Sequence, residues 1–214
     1  MLEKEGITIE KNRVKAEIFD GFRSKKVLKK MREKQEQMSR EIELNDSDFE
    51  LVAGFDISYH ERFAKGALCL MNLNGGILEV RTGYELSLMP YIPTYLGFRE
   101  LPLFQKLSEG LRDALYIIDG NGIMHPRLCG SACMMGLHAN APSIGVAKSR
   151  LLGDVNDNIV FYEKQQIGWK EGRVFISPGN KISMQSALEL VKRFSKHGMP
   201  EQLRIAHMRA KIDD

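Results

Sequence analysis

Three carboxylates stand in three separate segments of this chain: Asp56 in FELVAGFDISY, Glu100 at the end of GFRE, and Asp119 at the end of ALYIID. An acid inside an apolar strand needs a partner, because burying an unpaired charge is costly. Carboxylates gathered at one place also repel, and they persist together chiefly when a divalent cation compensates them. Mg²⁺ or Mn²⁺ suits such oxygen ligands and keeps waters for a phosphate substrate. Taken singly, each acid reads first as a solvated or capping residue; for Asp56 and Asp119 together, on buried strands, the two readings stand level. Lys148 closes the apolar run SIGVA. An ammonium there could meet a phosphate or hold an attacking water, or simply snorkel from a strand end. The segment DGNGIMHPR, 119–127, could cradle a phosphate or form a plain tight turn, and His125 before Pro126 could ligate a metal or orient its loop. In MPYIPTYLGFRE, Tyr91 lies between Pro90 and Pro93. An aromatic held rigidly by such neighbours can stack on a base or wedge into a helix, or pack beneath its own loop.

These residues need elements to position them. FELVAGFDISY is β-branched and aromatic and reads as a strand. Alternation puts Phe55, Ile57 and Tyr59 on one face and Gly54, Asp56 and Ser58 on the other, so the carboxylate is flanked by residues too small to cover it. A second strand, about Ala67 to Leu73, connects through Asn74-Gly75-Gly76, a hairpin signal, to a third from about Ile77 to Leu88. Pro90 and Pro93 end that strand, and a helix beginning between Phe98 and Pro102 runs to about Arg112. ALYIID is a short buried strand, a helix spans about Leu128 to Ala139, and SIGVA is a second buried strand. Strand, helix, strand in so few residues is a crossover that makes the two strands parallel neighbours. Asp119 and Lys148 then share the carboxyl edge of the sheet, where open α/β sheets bind ligands. Further β-structure is expected from Asp154 to Ile176, with Ile159 to Tyr162 and Arg173 to Ile176 the better segments. Ser177-Pro178-Gly179-Asn180 reads as a turn. Ser183 can cap an amphipathic helix carrying Met184, Ala187, Leu188, Val191 and Phe194, and a short last helix around Glu201 to Ala210 carries His207.

Composition narrows the class. With 214 residues, 43% hydrophobic and 28% charged, seven prolines and nineteen glycines, the chain is neither fibrous nor disordered. We expect one α/β domain with a mixed sheet across residues 1–214. Three cysteines cannot all pair, and the Cys129/Cys133 spacing matches neither a zinc knuckle nor a redox motif, which fits a reducing, cytoplasmic setting. The opening residues do not read as a secretory signal. The uncharged run Leu128 to Ala147 is divided by Pro142 into pieces of ordinary globular length, so no membrane span is expected. A net charge of +3 says little about partners, whereas its clustering says more. Arg23, Lys25, Lys26, Lys29, Lys30, Arg32 and Lys34 fall on a helix read from about Ser24 to Glu41, whose basic face is either solvated or in contact with phosphates. Met31, Met38, Met134 and Met135 read as core filler.

The blocks VAGFDISY, PYIPTYLGFRELP, DGNGIMHPRLCGSA, PSIGVAKSRL and ISPGNKISMQSALELV, in that order from about Leu51 to Val191, closely resemble the signature blocks of endonuclease V. The resemblance implies a ribonuclease H-like fold, a central mixed β-sheet flanked by helices. It implies an Mg²⁺-dependent endonuclease, with Mn²⁺ as substitute, that cuts inosine-containing DNA or RNA at the second phosphodiester bond 3′ to the lesion. No membrane and no obligatory protein partner are implied. By position, Asp56, Glu100 and Asp119 match the family's metal carboxylates, Lys148 its lysine near the reaction, and His207 its histidine close to the metal. Pro90, Tyr91, Ile92 and Pro93 match the strand-separating wedge. Leu96, Gly120 and Gly122 resemble the backbone pocket for the extruded hypoxanthine. This chain departs from many members in carrying Thr94 where they have glycine. Two other classes remain open: a nucleic-acid-binding protein without catalysis, and a nuclease of the same fold directed at a different target structure.

Overall fold

A computed structural model describes residues 9–10, 13–14, 25–60, 63–87 and 89–211. Arg23 and the opening residues read above as lacking a secretory signal lie outside these, apart from Ile9–Glu10 and Arg13–Val14, which pair as a two-residue ladder. Among the described residues the main sheet has nine strands: β1 (Leu51–His60), β2 (Phe63–Asn72), β3 (Ile77–Leu86), β4 (Ala114–Asp119), β5 (Ser143–Ala147), β6 (Asp154–Asn156), β7 (Ile159–Tyr162), β8 (Gln165–Glu171) and β9 (Val174–Asn180). Their spatial order is β3-β2-β1-β4-β5-β9-β8-β7-β6. The expected antiparallel opening is present, with β2 paired to β1 on one side and β3 on the other. The expected crossover is present too, since β4 runs parallel to both β1 and β5. The half of the sheet that holds the parallel strands therefore has the order 3-2-1-4-5, which is the ribonuclease H-like arrangement.

Among the described residues, five α-helices accompany the sheet: α1 (Lys25–Met38), α2 (Leu96–Ser108), α3 (Ser131–Ala139), α4 (Met184–Phe194) and α5 (Glu201–Ala210). Alternation along each strand divides the core in two. Val52, Leu115, Ile117, Ile144, Val146 and Ile176 face α4 and Leu203 of α5. Ala53, Phe55, Leu68, Tyr116 and Ile118 face α2 and α3. Asp56 continues the first set along β1 and Asp119 continues it along β4, so both acids lie on the α4/α5 side at the end of buried strands.

Several boundaries differ from the sequence expectation. Helix α2 starts at Leu96 and contains Pro102 within its span, because its buried face, with Leu103, Phe104 and Leu107, outweighs the missing N–H. Helix α3 starts at Ser131, after Leu128 has adopted a φ of 49° that no helix can accommodate. The larger correction concerns Ser177-Pro178-Gly179-Asn180, which is not a turn but the last part of β9, paired with β5. Pro178 is tolerated because the ladder is irregular between Pro178 and Asn180, where no donor is required. Its carbonyl accepts the Ile123 N–H at 2.9 Å, and the Asn180 side chain accepts the Glu43 N–H at 3.1 Å. Burial thus overrode four residues that each favour turns. Ser183 caps α4 as expected, accepting from Ser186 N–H. Met134 and Met135 are fully buried and Met38 packs partly against the core. Cys69, Cys129 and Cys133 are free and buried. No helix among the described residues is long and apolar enough to cross a membrane.

Candidate active site

Strand register brings the acids together. Phe55 pairs with Ile118, which sets Asp56 beside Asp119 at the carboxyl edge of two parallel strands, and Asp119 pairs with Val146, two residues before Lys148. The Lys148 ammonium lies 4.0 Å from the Asp119 carboxylate with its side chain otherwise in solvent.

The third contributor comes from far along the chain. Helix α5 crosses β1 so closely that a Cβ at Gly54 would lie 2.3 Å from the backbone carbon of Gln202. Ala206 and Ala210 turn small side chains to the sheet, and the Ser58 hydroxyl donates to the Ala210 carbonyl at 2.6 Å. That close approach delivers His207, whose Nδ1 lies 2.6 Å from Asp56 Oδ2. The other Asp56 oxygen accepts the Ile57 N–H at 2.8 Å, so the carboxylate is fixed at both ends. One potential ligand atom from each of Asp56, Asp119 and His207 lies within 4.8 Å of the other two, a spacing that could hold a metal ion.

Glu100 approaches from α2 and is buried. Burial, reinforced by the charges of Asp56 and Asp119, pushes its carboxyl well above the usual range, and the Ser131 hydroxyl bonded to it is too weak an offset. Asp119 is pushed up to about 6, first by burial and then by Asp56, with Lys148 and His207 opposing. Burial and neighbouring acids thus hold both Glu100 and Asp119 toward the protonated form.

A cavity of about 430 Å³ adjoins the acids, and Asp119 forms part of its wall. Tyr91, Thr94, Leu96 and Gly120 line it. Tyr91 is 38% exposed, which decides against a tyrosine packed under its own loop. Gly122 does not line the cavity. It sits behind the wall, where a Cβ would lie 2.1 Å from the Pro178 carbonyl oxygen, and its N–H donates to the Ser177 hydroxyl at 2.8 Å. Its place is close packing of the loop onto β9. Pro90, Ile92 and Pro93 flank Tyr91 without lining the cavity themselves. His125 is buried and bonded to the Thr94 carbonyl at 2.9 Å, and burial lowers its pKa to about 4, so it orients the loop as a neutral ring.

Two residues near this site carried no sequence signal. Gln35 sits among lysines and glutamates in a helix that reads as exposed, yet it is buried and lines the cavity. Ser131 opens α3 and bonds to Glu100. Lys26, Lys29, Lys30, Arg32 and Lys34 of α1 are exposed, and two of them are partly neutralised by the pairs Lys29–Glu33 and Arg32–Glu36.

Comparison with known proteins matches this geometry. A family model described as Endonuclease V matches residues 32–208. The Endonuclease V of Saccharolobus islandicus is 41% identical over 75% of this chain and 81% of its own length. A bifunctional methyltransferase/endonuclease of Picrophilus torridus is 34% identical over 97% of this chain and 70% of its own. Among solved structures, the catalytic domain of human Endonuclease V superposes with a TM-score of 0.78 at 22% identity, covering 87% of this chain and 95% of that one. Ciona intestinalis Endonuclease V, in complex with a 24mer DNA containing an inosine followed by a ribo-adenosine, superposes with a TM-score of 0.76 at 25% identity, covering 87% and 97%. With its acids at the parallel edge of a ribonuclease H-like sheet and the family match running through all of them, this chain belongs to the endonuclease V family and is an endonuclease acting on phosphodiester bonds.

Proposed function

We propose that this protein is an Mg²⁺-dependent endonuclease that cleaves inosine-containing nucleic acid, DNA or RNA, at the second phosphodiester bond 3′ to the inosine. The observation that carries the reading is the shared wall: Asp119 belongs both to the acidic edge and to a cavity of about 430 Å³ edged by an exposed tyrosine. The Ciona relative bound to inosine-containing DNA supports the same substrate class.

The donor set fits a hard divalent cation. Asp56, Glu100 and Asp119 offer oxygens; the carboxyls of Glu100 and Asp119 are held above their ordinary range first by burial and then by the charge of Asp56, a repulsion that a cation relieves. Mg²⁺ held there would supply charge neutralisation at the scissile phosphate and a more acidic water. The chain's own groups do the rest. His207 bonded to Asp56 fixes the orientation of that carboxylate, as a partner to a ligand does elsewhere. Lys148 extends from Asp119 toward solvent, where its ammonium can bind a non-bridging phosphate oxygen.

A base cannot be inspected within a stack, so the nucleotide must be extruded, and a mismatched inosine costs less to unstack than a normal pair. Tyr91 would fill the gap left behind while the base enters the cavity beside Leu96 and Gly120. Because base and scissile phosphate occupy adjoining but separate subsites, the cut falls at an offset from the lesion. Backbone N–H donors directed at the hypoxanthine carbonyl would meet another donor if adenine entered, which leaves buried groups unpaired.

The test is an end-labelled oligonucleotide carrying one inosine, run with Mg²⁺ beside adenine and guanine counterparts, as DNA and as RNA. A single offset cut, leaving a 3′-hydroxyl and a 5′-phosphate and restricted to inosine, is expected. Equal cutting of all three, or none, overturns the assignment, and binding without cutting would favour a non-catalytic role.

A further inference from the structure

The loop that carries Tyr91 ends in a turn of unusual composition. The Tyr95 N–H donates to the Ile92 carbonyl at 3.0 Å, closing a four-residue turn with Pro93 second and Thr94 third. Thr94 has a φ of 69°. Proline second with a positive φ third is the pattern of a type II turn, whose third position ordinarily belongs to glycine or asparagine. A β-branched residue there is a steric outlier and persists only where its surroundings over-determine it.

The surroundings do so. The Thr94 carbonyl accepts from Arg127 Nη2 at 2.6 Å, from His125 Nε2 at 2.9 Å and from Gln35 Nε2 at 3.3 Å. The same Arg127 nitrogen donates to Thr94 Oγ1 at 2.8 Å. The donors also brace one another. Arg127 Nε donates to Gln35 Oε1 at 2.8 Å, the Arg127 N–H donates to His125 Nδ1 at 3.2 Å, and Gln35 Nε2 donates to the Cys129 carbonyl at 2.8 Å. Since His125 Nδ1 accepts, its Nε2 carries the proton that reaches Thr94. The Arg127 guanidinium also covers the Tyr95 ring at 4.4 Å. None of these bonds reaches Asp56, Glu100 or Asp119, so the network does not serve the acidic edge. It converges from α1 and from the 125–127 loop on one carbonyl.

We infer that Arg127 and Gln35 are positioning residues that hold the Ile92–Tyr95 turn in its strained form, and so set the angle at which Tyr91 meets a duplex and the shape of the cavity rim. Helix α1 is thereby a buttress of the wedge through Gln35, whatever its basic outer face contacts. The inference rests on the proposed role of Tyr91 as a wedge and deepens it. Tyr91 lies directly before the turn, and Gln35, Tyr91 and Thr94 all line the same cavity, so a relaxed turn moves the tyrosine and the rim together.

The experiment compares wild type, Arg127→Met, and the double variant Arg127→Met with Thr94→Gly. Met keeps the packed stem and removes every side-chain donor of Arg127, while glycine accepts a positive φ without strain. In Arg127→Met, amide exchange across residues 89–96 should quicken roughly tenfold relative to the sheet, in line with the loss of charge-assisted bonds. Cleavage of inosine in duplexes should weaken through KM by roughly five- to tenfold with kcat little changed, and single-strand cleavage should weaken clearly less, because it feels the rim and not the wedge. Adding Thr94→Gly should recover most of the exchange protection and of the duplex KM. Equal losses on duplex and single strand, unchanged exchange, or no recovery by the glycine variant each overturn the inference. If Arg127→Met does not fold, Arg127→Lys, which keeps the charge and loses the fork, is read by the same criteria. Should the wild-type protein fail to cut inosine substrates, the proposed activity falls, while the exchange comparison still decides whether the network holds the turn.

Discussion

At the scale of single residues, Asp119 is held where its charge costs stability. Its carboxyl, raised from 3.8 to about 6, holds a proton more tightly in the folded protein than in the unfolded chain. Folding stability of the metal-free protein therefore falls as pH rises through the window from about 4 to 6, and the full penalty, at most about 3 kcal/mol, persists above it. Glu100 is shifted in the same direction. His125 acts oppositely. Its pKa is depressed to about 4, so it contributes stability that is present above about pH 6.5 and lost as pH falls toward 4. We predict that Asp119→Asn in EDTA melts higher than wild type at pH 7.5 and that this advantage vanishes near pH 4, while cleavage is abolished at every pH. Melting curves in EDTA across that range check the first part, and a variant no more stable than wild type at pH 7.5 would contradict it. The neutral His125 also bears on the loop, because it leaves Nδ1 free to accept the Arg127 N–H while Nε2–H donates to the Thr94 carbonyl throughout the neutral range.

Among the elements, the contact of α5 with β1 is the one on which site geometry depends. Gly54 allows a helix backbone to lie against a strand backbone, and one turn and a half farther along the helix His207 meets Asp56. Gly54→Ala must push α5 outward, because the atoms in the way are backbone of Gln202 and Leu203 and not a flexible side chain. We expect a loss of roughly 2–3 kcal/mol in denaturant unfolding, together with a fall in cleavage larger than the loss of folded protein accounts for. Ala206→Gly on the facing side removes a buried methyl without pushing the helix away and should cost stability with a smaller effect on cleavage. On the wedge role proposed for it, Tyr91→Ala should weaken cleavage of inosine in duplexes more than in single strands, since only a duplex leaves a gap to fill, a stacking contribution of about 1–3 kcal/mol. Side-by-side kinetics on the two substrates test this, and equal losses would assign the tyrosine a packing role.

For the molecule as a whole, a metal ion bound as proposed at the acidic edge would be coupled to folding. A cation that binds the folded protein and not the unfolded chain stabilises by about 2.7 kcal/mol at a hundred times its dissociation constant. For a chain of this size that corresponds to a melting shift of roughly 5–10 °C, provided unfolding is two-state. Titrating Mg²⁺ into metal-free protein at pH 7.5 should therefore raise the melting temperature, and Asp119→Asn should lose most of that rise. An equal rise in both proteins would indicate general ionic screening. The same screening should weaken nucleic-acid binding as salt increases, with lysines such as Lys148 supplying phosphate contacts.

How much of this was legible in the sequence follows from the range of the forces involved. Strand alternation around Asp56, the hairpin at Asn74-Gly75-Gly76 and the crossover from ALYIID to SIGVA are encoded by neighbouring residues. They sufficed to set Asp56, Asp119 and Lys148 at one sheet edge, because parallel strands joined by a short helix have few ways to pair. The resemblance of the signature blocks supplied what such periods cannot, namely Glu100 and His207 as companions of those acids. Only the tertiary structure decided how they meet. Asp56 and His207 are 151 positions apart and touch because a glycine and two alanines let a helix settle on a strand. Ser177-Pro178-Gly179-Asn180 became strand because β5 offered it partners and burial, and Gln35 left an apparently solvated helix face for a buried carbonyl. Each of these outcomes rests on surfaces brought together from distant parts of the chain, and local propensity carries no record of them.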